Sequence, residues 1–293
     1  MHPEVVKEMI PYFDTQYGNP SSIHQFGRKA KNAVQRARKQ VAALIGAEPD
    51  EILFTSGGTE SNNTILYGIP KSQGPKFVLN HIITSSIEHE AILEPCRDLE
   101  KNGVKVTYLP VDEHGIVNPN DITNSINPQT VIVSVMFANN EVGTIQPIKE
   151  ISKICNKYQI PLHTDAVQAV GKVPINVKEL GVDALSISSH KINGPKGVGA
   201  LFIKKGLIIA PEILGGGQEN GMRSGTENVA SIVGFGKACE IAIKRLNKTI
   251  SHFQTLHSSM LSKIVKEIPH VKLNGHTEKR IFNNIHLTFL GVN

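Results

Sequence analysis

The sequence predicts an α/β protein built around an open, mostly parallel sheet. Short apolar runs alternate with longer stretches of helical period along the 293 residues. Several of those runs are continuously apolar, as in strands covered on both faces. Hydrophobic residues make up 40% of the chain, enough for a sizeable core.

Taken in order, Gly27 to Gly46 puts Ala30, Ala33, Val34, Ala37, Val41, Leu44 and Ile45 on one helical face, with Gly46 as the stop. Residues 51–56 (EILFTS) read as a strand, followed by Gly57, Gly58 and a helical run. Six further strands are predicted at 81–86, 104–111, 130–138, 161–165, 184–189 and 200–204. Pro147 to Tyr158 is a helical stretch whose proline suits a first turn. Two helices follow, 224–246 and 250–268, with a domain boundary near Leu246. The chain is thus read as a large domain, 1–246, and the start of a smaller one, 247–293. One helix and two short strands are too little for that second part to stand alone.

Composition removes several function classes. Aromatics are 5% and Trp is absent, which argues against a platform that stacks nucleic-acid bases. Lys plus Arg is 31 against 26 for Asp plus Glu, a mild excess that suits a phosphorylated small ligand as well as a polyanion. The basic helix carrying Arg28, Lys29, Lys31, Arg36, Arg38 and Lys39 reads as a solvated face. Cys96, Cys155 and Cys239 form no CxxC pair, so neither a metal site nor a disulfide framework is predicted. All three fall on apolar helical faces and read as small core residues. No apolar stretch is long enough for a bilayer, and Glu4, Lys7 and Glu8 interrupt any leader-like run. A cytoplasmic protein is expected.

In open parallel sheets, ligands bind beyond the carboxyl ends of the strands, so the residues closing each strand are the candidates. Gly57, Gly58 and Thr59 form a strand-to-helix turn that can aim backbone N–H groups at an anion. Taken alone, a plain strand-to-helix turn is the stronger reading. Asp165 ends its strand with Gln168 three residues on; it can hold a protonated ring nitrogen or simply cap a turn. Ser188, Ser189, His190 and Lys191 close another strand. Burial there would make Lys191 a nucleophilic amine, against the alternative of a surface lysine in a Gly-rich loop. His89 follows the 81–86 strand, where a histidine is commonly a cap. Asn139, Asn140 and Glu141 close the 130–138 strand with amides placed to bond a ring substituent. The stretch 215–225 is Gly-rich, carries Arg223, and leads to Thr226 at a helix start, a second anion-site candidate.

As an ordered set, these segments resemble the cysteine desulfurases, of the class V aminotransferase group of fold-type I pyridoxal-phosphate enzymes. The strings TSGGTESNN, EHEAI, ANNEVGTIQP, HTDAVQAVGK, SSHKINGPKGVGAL and GGGQENGMRSGTEN carry the resemblance, with GNPSSIH near the start. It implies a seven-stranded, mostly parallel sheet flanked by helices, followed by an α+β small domain. By matching position, Lys191 would carry the cofactor covalently and later move protons. Asp165 would hold the pyridinium nitrogen protonated, and His89 would stack on the ring. Gln168 and Asn140 would bond the ring hydroxyl region. Gly58, Thr59, Ser188 and His190 would bind the phosphate. Thr226 would reach the phosphate of a partner subunit, which implies a homodimer.

The implied reaction takes L-cysteine to L-alanine. Its sulfur is passed as a persulfide to an iron–sulfur scaffold or to tRNA thiolation, with no membrane and no direct nucleic-acid contact. The family's nucleophilic cysteine and its substrate-gripping arginine lie downstream of a strand like NNIHLTF, beyond Asn293. The opening Asp-x-x-Ala-Thr-Thr segment precedes Met1. None of the three cysteines sits at the nucleophile's position. The expectation is a chain truncated at both ends whose cofactor pocket survives better than turnover. Two alternatives stay open: a non-catalytic subunit that dimerises with a longer paralogue, and a selenocysteine lyase-type enzyme.

Overall fold

β-Branched and leucine-rich runs supply seven strands of one sheet: β1 (Ile52–Thr55), β2 (His81–Ser85), β3 (Lys105–Leu109), β4 (Thr130–Ser134), β5 (Leu162–Asp165), β6 (Ala184–Ser188) and β7 (Gly199–Ile203). The computed structural model describes residues 1–74 and 80–291, so the last two residues of the predicted second domain lie outside them. Across the sheet the order is β1-β7-β6-β5-β4-β2-β3. β7 runs antiparallel to β1 and β6, and the other pairs are parallel.

Successive strand residues face opposite sides, and both sides are covered. Leu53, Ile82, Ile132 and Leu201 face one layer with α3 (Gly58–Ser72) and α4 (Glu90–Lys101). Phe54, Ile83, Val133 and Phe202 face the other. That layer holds α1 (Pro3–Met9), α2 (Gln25–Ile45), α5 (Pro119–Ser125), α6 (Ile148–Tyr158), the short α7 (Val177–Leu180) and the first part of α8 (Val229–Glu267). Each such side chain contributes roughly 1.5–3 kcal/mol by burial, which explains why the strands read as unbroken apolar runs. α2 follows its predicted face, and Gly46 ends it in the left-handed region at φ 70°.

Three expectations are corrected. The predicted strand 130–138 is regular only to Ser134; residues 135–138 are buried, and the Val135 and Phe137 N–H groups still donate to the His163 and Asp165 carbonyls of β5. The two helices placed at 224–246 and 250–268 are one helix of 39 residues, α8. Nothing between Leu246 and Ile250 breaks a helix, since neither the poor helix former Gly nor Pro falls there. The break in periodicity instead marks where α8 leaves the core: apart from His257, its buried residues end at Cys239. The third is Thr226, which precedes the helix start, where Asn228 caps α8 by accepting from the Ser231 N–H.

After α8 the chain forms a small antiparallel pair, β8 (Val271–Leu273) with β9 (Leu287–Phe289). The segment between them folds back onto the turn after β4. There Ile145 donates to Lys279, and Ile281 donates to Gly143.

Candidate active site

From β2 the chain runs outward to β3, then returns so that β4 lies on the other side of β2. Strand order reverses there, and a crevice opens beyond the carboxyl ends. The pocket at this place is lined by Gly58, Thr59, Asn62, His89, Ala91, Met136, Ala138, Asn140, Asp165, Val167, Gln168, Ser188, His190 and Lys191. Every candidate carried by the resemblance is among them except Thr226. That residue lies in a separate surface cleft with Tyr12, Phe13, Tyr17 and Asn228.

One end of the pocket is a cradle for an anion. α3 starts at Gly58, so its first N–H groups and its dipole face the pocket. A Cβ at residue 58 would come within 2.7 Å of the Val167 side chain, so glycine permits this close approach. Glu60 closes the turn by accepting from the Ser56 N–H at 2.8 Å. Ser188 Oγ and His190 Nδ1 are 2.9 Å apart, beside Thr59. Burial, with Lys191 and Lys196 adding, lowers the His190 pKa, so its ring is neutral near pH 7.

Asp165 forms the floor and is buried. Its Oδ2 accepts from Asn62 Nδ2 at 2.7 Å and its Oδ1 from the Val167 N–H at 2.9 Å. Burial raises its pKa, against the opposing pull of Asn62, the Val167 amide, His89 and Lys191. A cationic group bonded to this carboxylate would relieve its burial. On the opposite side His89 both caps α4 and lines the pocket. Its Nδ1 accepts from the Ala91 N–H at 3.0 Å, which leaves the proton of the neutral ring on Nε2.

Three expectations change here. Lys191 is exposed at the mouth of the pocket, so the anticipated burial of its amine is not found. Arg223 does not furnish an anion site: its Nε donates to Glu60 Oε1 at 2.9 Å, inside the cradle-capping network. With Glu219 bonded to Arg38 at 2.9 Å, two ion pairs pin the Gly-rich stretch. Asn139 turns away from the pocket, its Oδ1 accepting from the Glu141 and Val142 N–H groups, and only Asn140 lines it. Sequence reasoning missed Asn62, which orients Asp165 from 103 residues away. Its one local signal was its place, one helical turn after Gly58. The three cysteines are buried as predicted. Burial pushes Cys96 and Cys155 up to about 12 and Cys239 well above its usual value.

Comparison with known proteins decides the family. The aminotransferase class-V family matches residues 1–293. The chain is 52% identical over 286 residues to the cysteine desulfurase IscS of Dictyoglomus turgidum, covering 98% of this chain and 72% of that one. The chain belongs to the class V aminotransferases, among their cysteine desulfurases. The IscS of Clostridium botulinum (strain Hall) is 51% identical over 292 residues, 99% of this chain and 73% of its own. A solved NifS-like protein superposes with a TM-score of 0.95 at 40% identity, covering all of this chain and 80% of that one.

Cysteine desulfurases are in general pyridoxal-phosphate enzymes, and the residues present fit that cofactor. A helix N-terminus with two hydroxyls and a histidine suits a phosphate. A buried carboxylate fixed by two donors suits a protonated ring nitrogen, and a movable amine stands at the mouth. Among the described residues no helix is long and apolar enough to cross a membrane.

Proposed function

We propose that this pocket binds and activates L-cysteine for the cysteine desulfurase reaction, which gives L-alanine and a persulfide on a thiol that the buried Cys96, Cys155 and Cys239 do not supply, the sulfur then passing to an acceptor protein of iron–sulfur assembly or tRNA thiolation. The observation that carries the reading is the meeting of Lys191, Asp165 and the Gly58–Thr59–Ser188–His190 cradle in one pocket at the strand ends. When bound, pyridoxal phosphate supplies an electron sink for a bond broken at the α-carbon of an amino acid.

The chain's own residues divide the remaining work. The cradle binds the dianionic phosphate and fixes the register of the ring. Asp165 keeps a proton on the ring nitrogen. His89, Asn140 and Gln168 line the same pocket, where His89 would cover the ring and Asn140 and Gln168 would bond its oxygen substituent. Lys191 would hold the cofactor covalently, and its Nζ would serve as the base and acid for the α-proton. Cys96, Cys155 and Cys239 are buried thiols, so none is assigned the sulfur.

Thr226 lies outside its own chain's pocket, beside Phe13 and Tyr17, which are 63% and 82% exposed. This favours a homodimer in which Thr226 reaches the partner's phosphate. Residues 1–246 are read as the cofactor domain and 247–293 as the start of a second unit that α8 enters.

The test is the visible spectrum of the chain with pyridoxal phosphate, before and after L-cysteine. An absorption band that is lost in Lys191→Ala and shifts with cysteine is expected. A band indifferent to Lys191→Ala would refute the assignment.

A further inference from the structure

Lys172 is a lysine out of place. It follows β5 in the turn 166–173, its side chain lies against Gln168, and the mechanism above does not use it. Its Nζ donates to the Gln168 carbonyl oxygen at 2.7 Å and to Gln168 Oε1 at 3.0 Å. No carboxylate bonds it among the described residues. Burial, and next the Lys191 charge, pull it down to about 8. A cation held without a counter-charge costs stability, and an apolar side chain would fill the same space without that cost. Packing alone therefore does not explain it.

The bond to Oε1 has a chemical consequence. An ammonium has only donors, so the Gln168 amide must turn its oxygen toward Lys172. The end left over is the NH2 group. Gln168 lines the pocket, and no described residue accepts from its Nε2. The turn is held to the Lys191 segment at Gly171: φ is 74°, and a Cβ there would come within 2.7 Å of the Ile192 side chain. Lys172, Gln168 and the Lys191 turn thus meet in one corner of the pocket.

We propose that Lys172 is a positioning residue that locks Gln168 with its NH2 toward the pocket, making Gln168 a hydrogen-bond donor to an anionic oxygen on the cofactor's ring. This rests on the reading of the pocket as a pyridoxal-phosphate site. The lock supplies a fixed donor, and the ammonium behind it adds positive potential on the same side. Both favour the anionic oxygen and disfavour a proton on the Lys191-linked chromophore. Lys191 is the charged neighbour that acts on Lys172.

The experiment is a pH titration of the visible band of the loaded chain, with no turnover involved. In Lys172→Met the midpoint should rise by about one pH unit, a tenfold change in proton affinity. In a Gln168→Ala background the same substitution should shift it by less than half as much, because Lys172 acts through Gln168. Lys172→Gln restores a donor without the charge and should recover part of the shift; it also serves if Lys172→Met fails to fold. An unmoved midpoint in Lys172→Met, or an equal shift in both backgrounds, overturns the role of Lys172 while leaving the site intact. Absence of any Lys191-dependent band in the wild-type chain overturns the site itself.

Discussion

Glu88 precedes His89 and is enclosed by protein. Its Oε1 accepts from Ser85 Oγ at 2.6 Å and from the Met136 N–H at 2.8 Å, while Oε2 finds no partner among the described residues. Burial pushes this carboxyl up to about 8; the bonds from Ser85 and Met136 oppose the shift and Asp165 adds to it. Glu88 is therefore neutral near pH 7. The stability consequence has a definite sign. The folded-state pKa lies above the ordinary 4.5, so stability is full below about 4.5 and is lost as pH rises toward about 8. Glu88→Gln stays neutral throughout. Its Tm should fall less than the wild type's across that window, and parallel profiles would contradict a neutral Glu88. At this scale the sequence showed which residues sit at strand ends but not their partners. His89 reads as a cap from its neighbours, and it is one. Nothing in the sequence singles out Glu88, because Met136 and Asp165 reach it only through the fold.

The turn after β4 carries Asn140, and it is held by a distant segment. Arg280 is 1% exposed, and its guanidinium donates to the carbonyls of Asn274, His276, Val142 and Asn284. Asn284 Nδ2 donates to the Asn140 and Glu141 carbonyls. These bonds clasp the β8–β9 connection onto the turn and so fix Asn140 at the pocket. Arg280→Ala leaves several buried carbonyls unpaired and should cost about 2–4 kcal/mol, read from urea unfolding. Arg280→Lys should recover only part, since one ammonium cannot span what the planar fork spans. A loss under 1 kcal/mol for Arg280→Ala would show that water or neighbours replace the clasp. Elements themselves were legible where burial dictates composition. The seven strands and α2 follow from apolar runs and face periodicity, and apart from the C-terminal end of β4 their ends fall close to the predicted ones. α8 was misread because a change of surroundings along a helix alters the pattern just as a loop does. The clasp was invisible, since hydrogen bonds to main-chain carbonyls leave no pattern in side-chain types.

For the whole molecule, sheet order does the assembling. β2, β4, β5 and β6 lie side by side, so the residues closing them, His89, Asn140, Asp165 and Lys191, meet at one end although long stretches of chain separate them. Each motif alone had an equally plain structural reading, and only their order along the chain pointed to one site. The β1–β7 and β7–β6 antiparallel pairs then bring the α3 N-terminus beside Ser188, completing the cradle. The central claim is that this junction holds pyridoxal phosphate on Lys191. Its most direct test is borohydride reduction of the loaded chain, followed by proteolysis and mass spectrometry of the peptides. A single pyridoxyl adduct is expected, on the peptide bearing Lys191 and not on Lys172. An adduct on another lysine, or none at all, would contradict the claim.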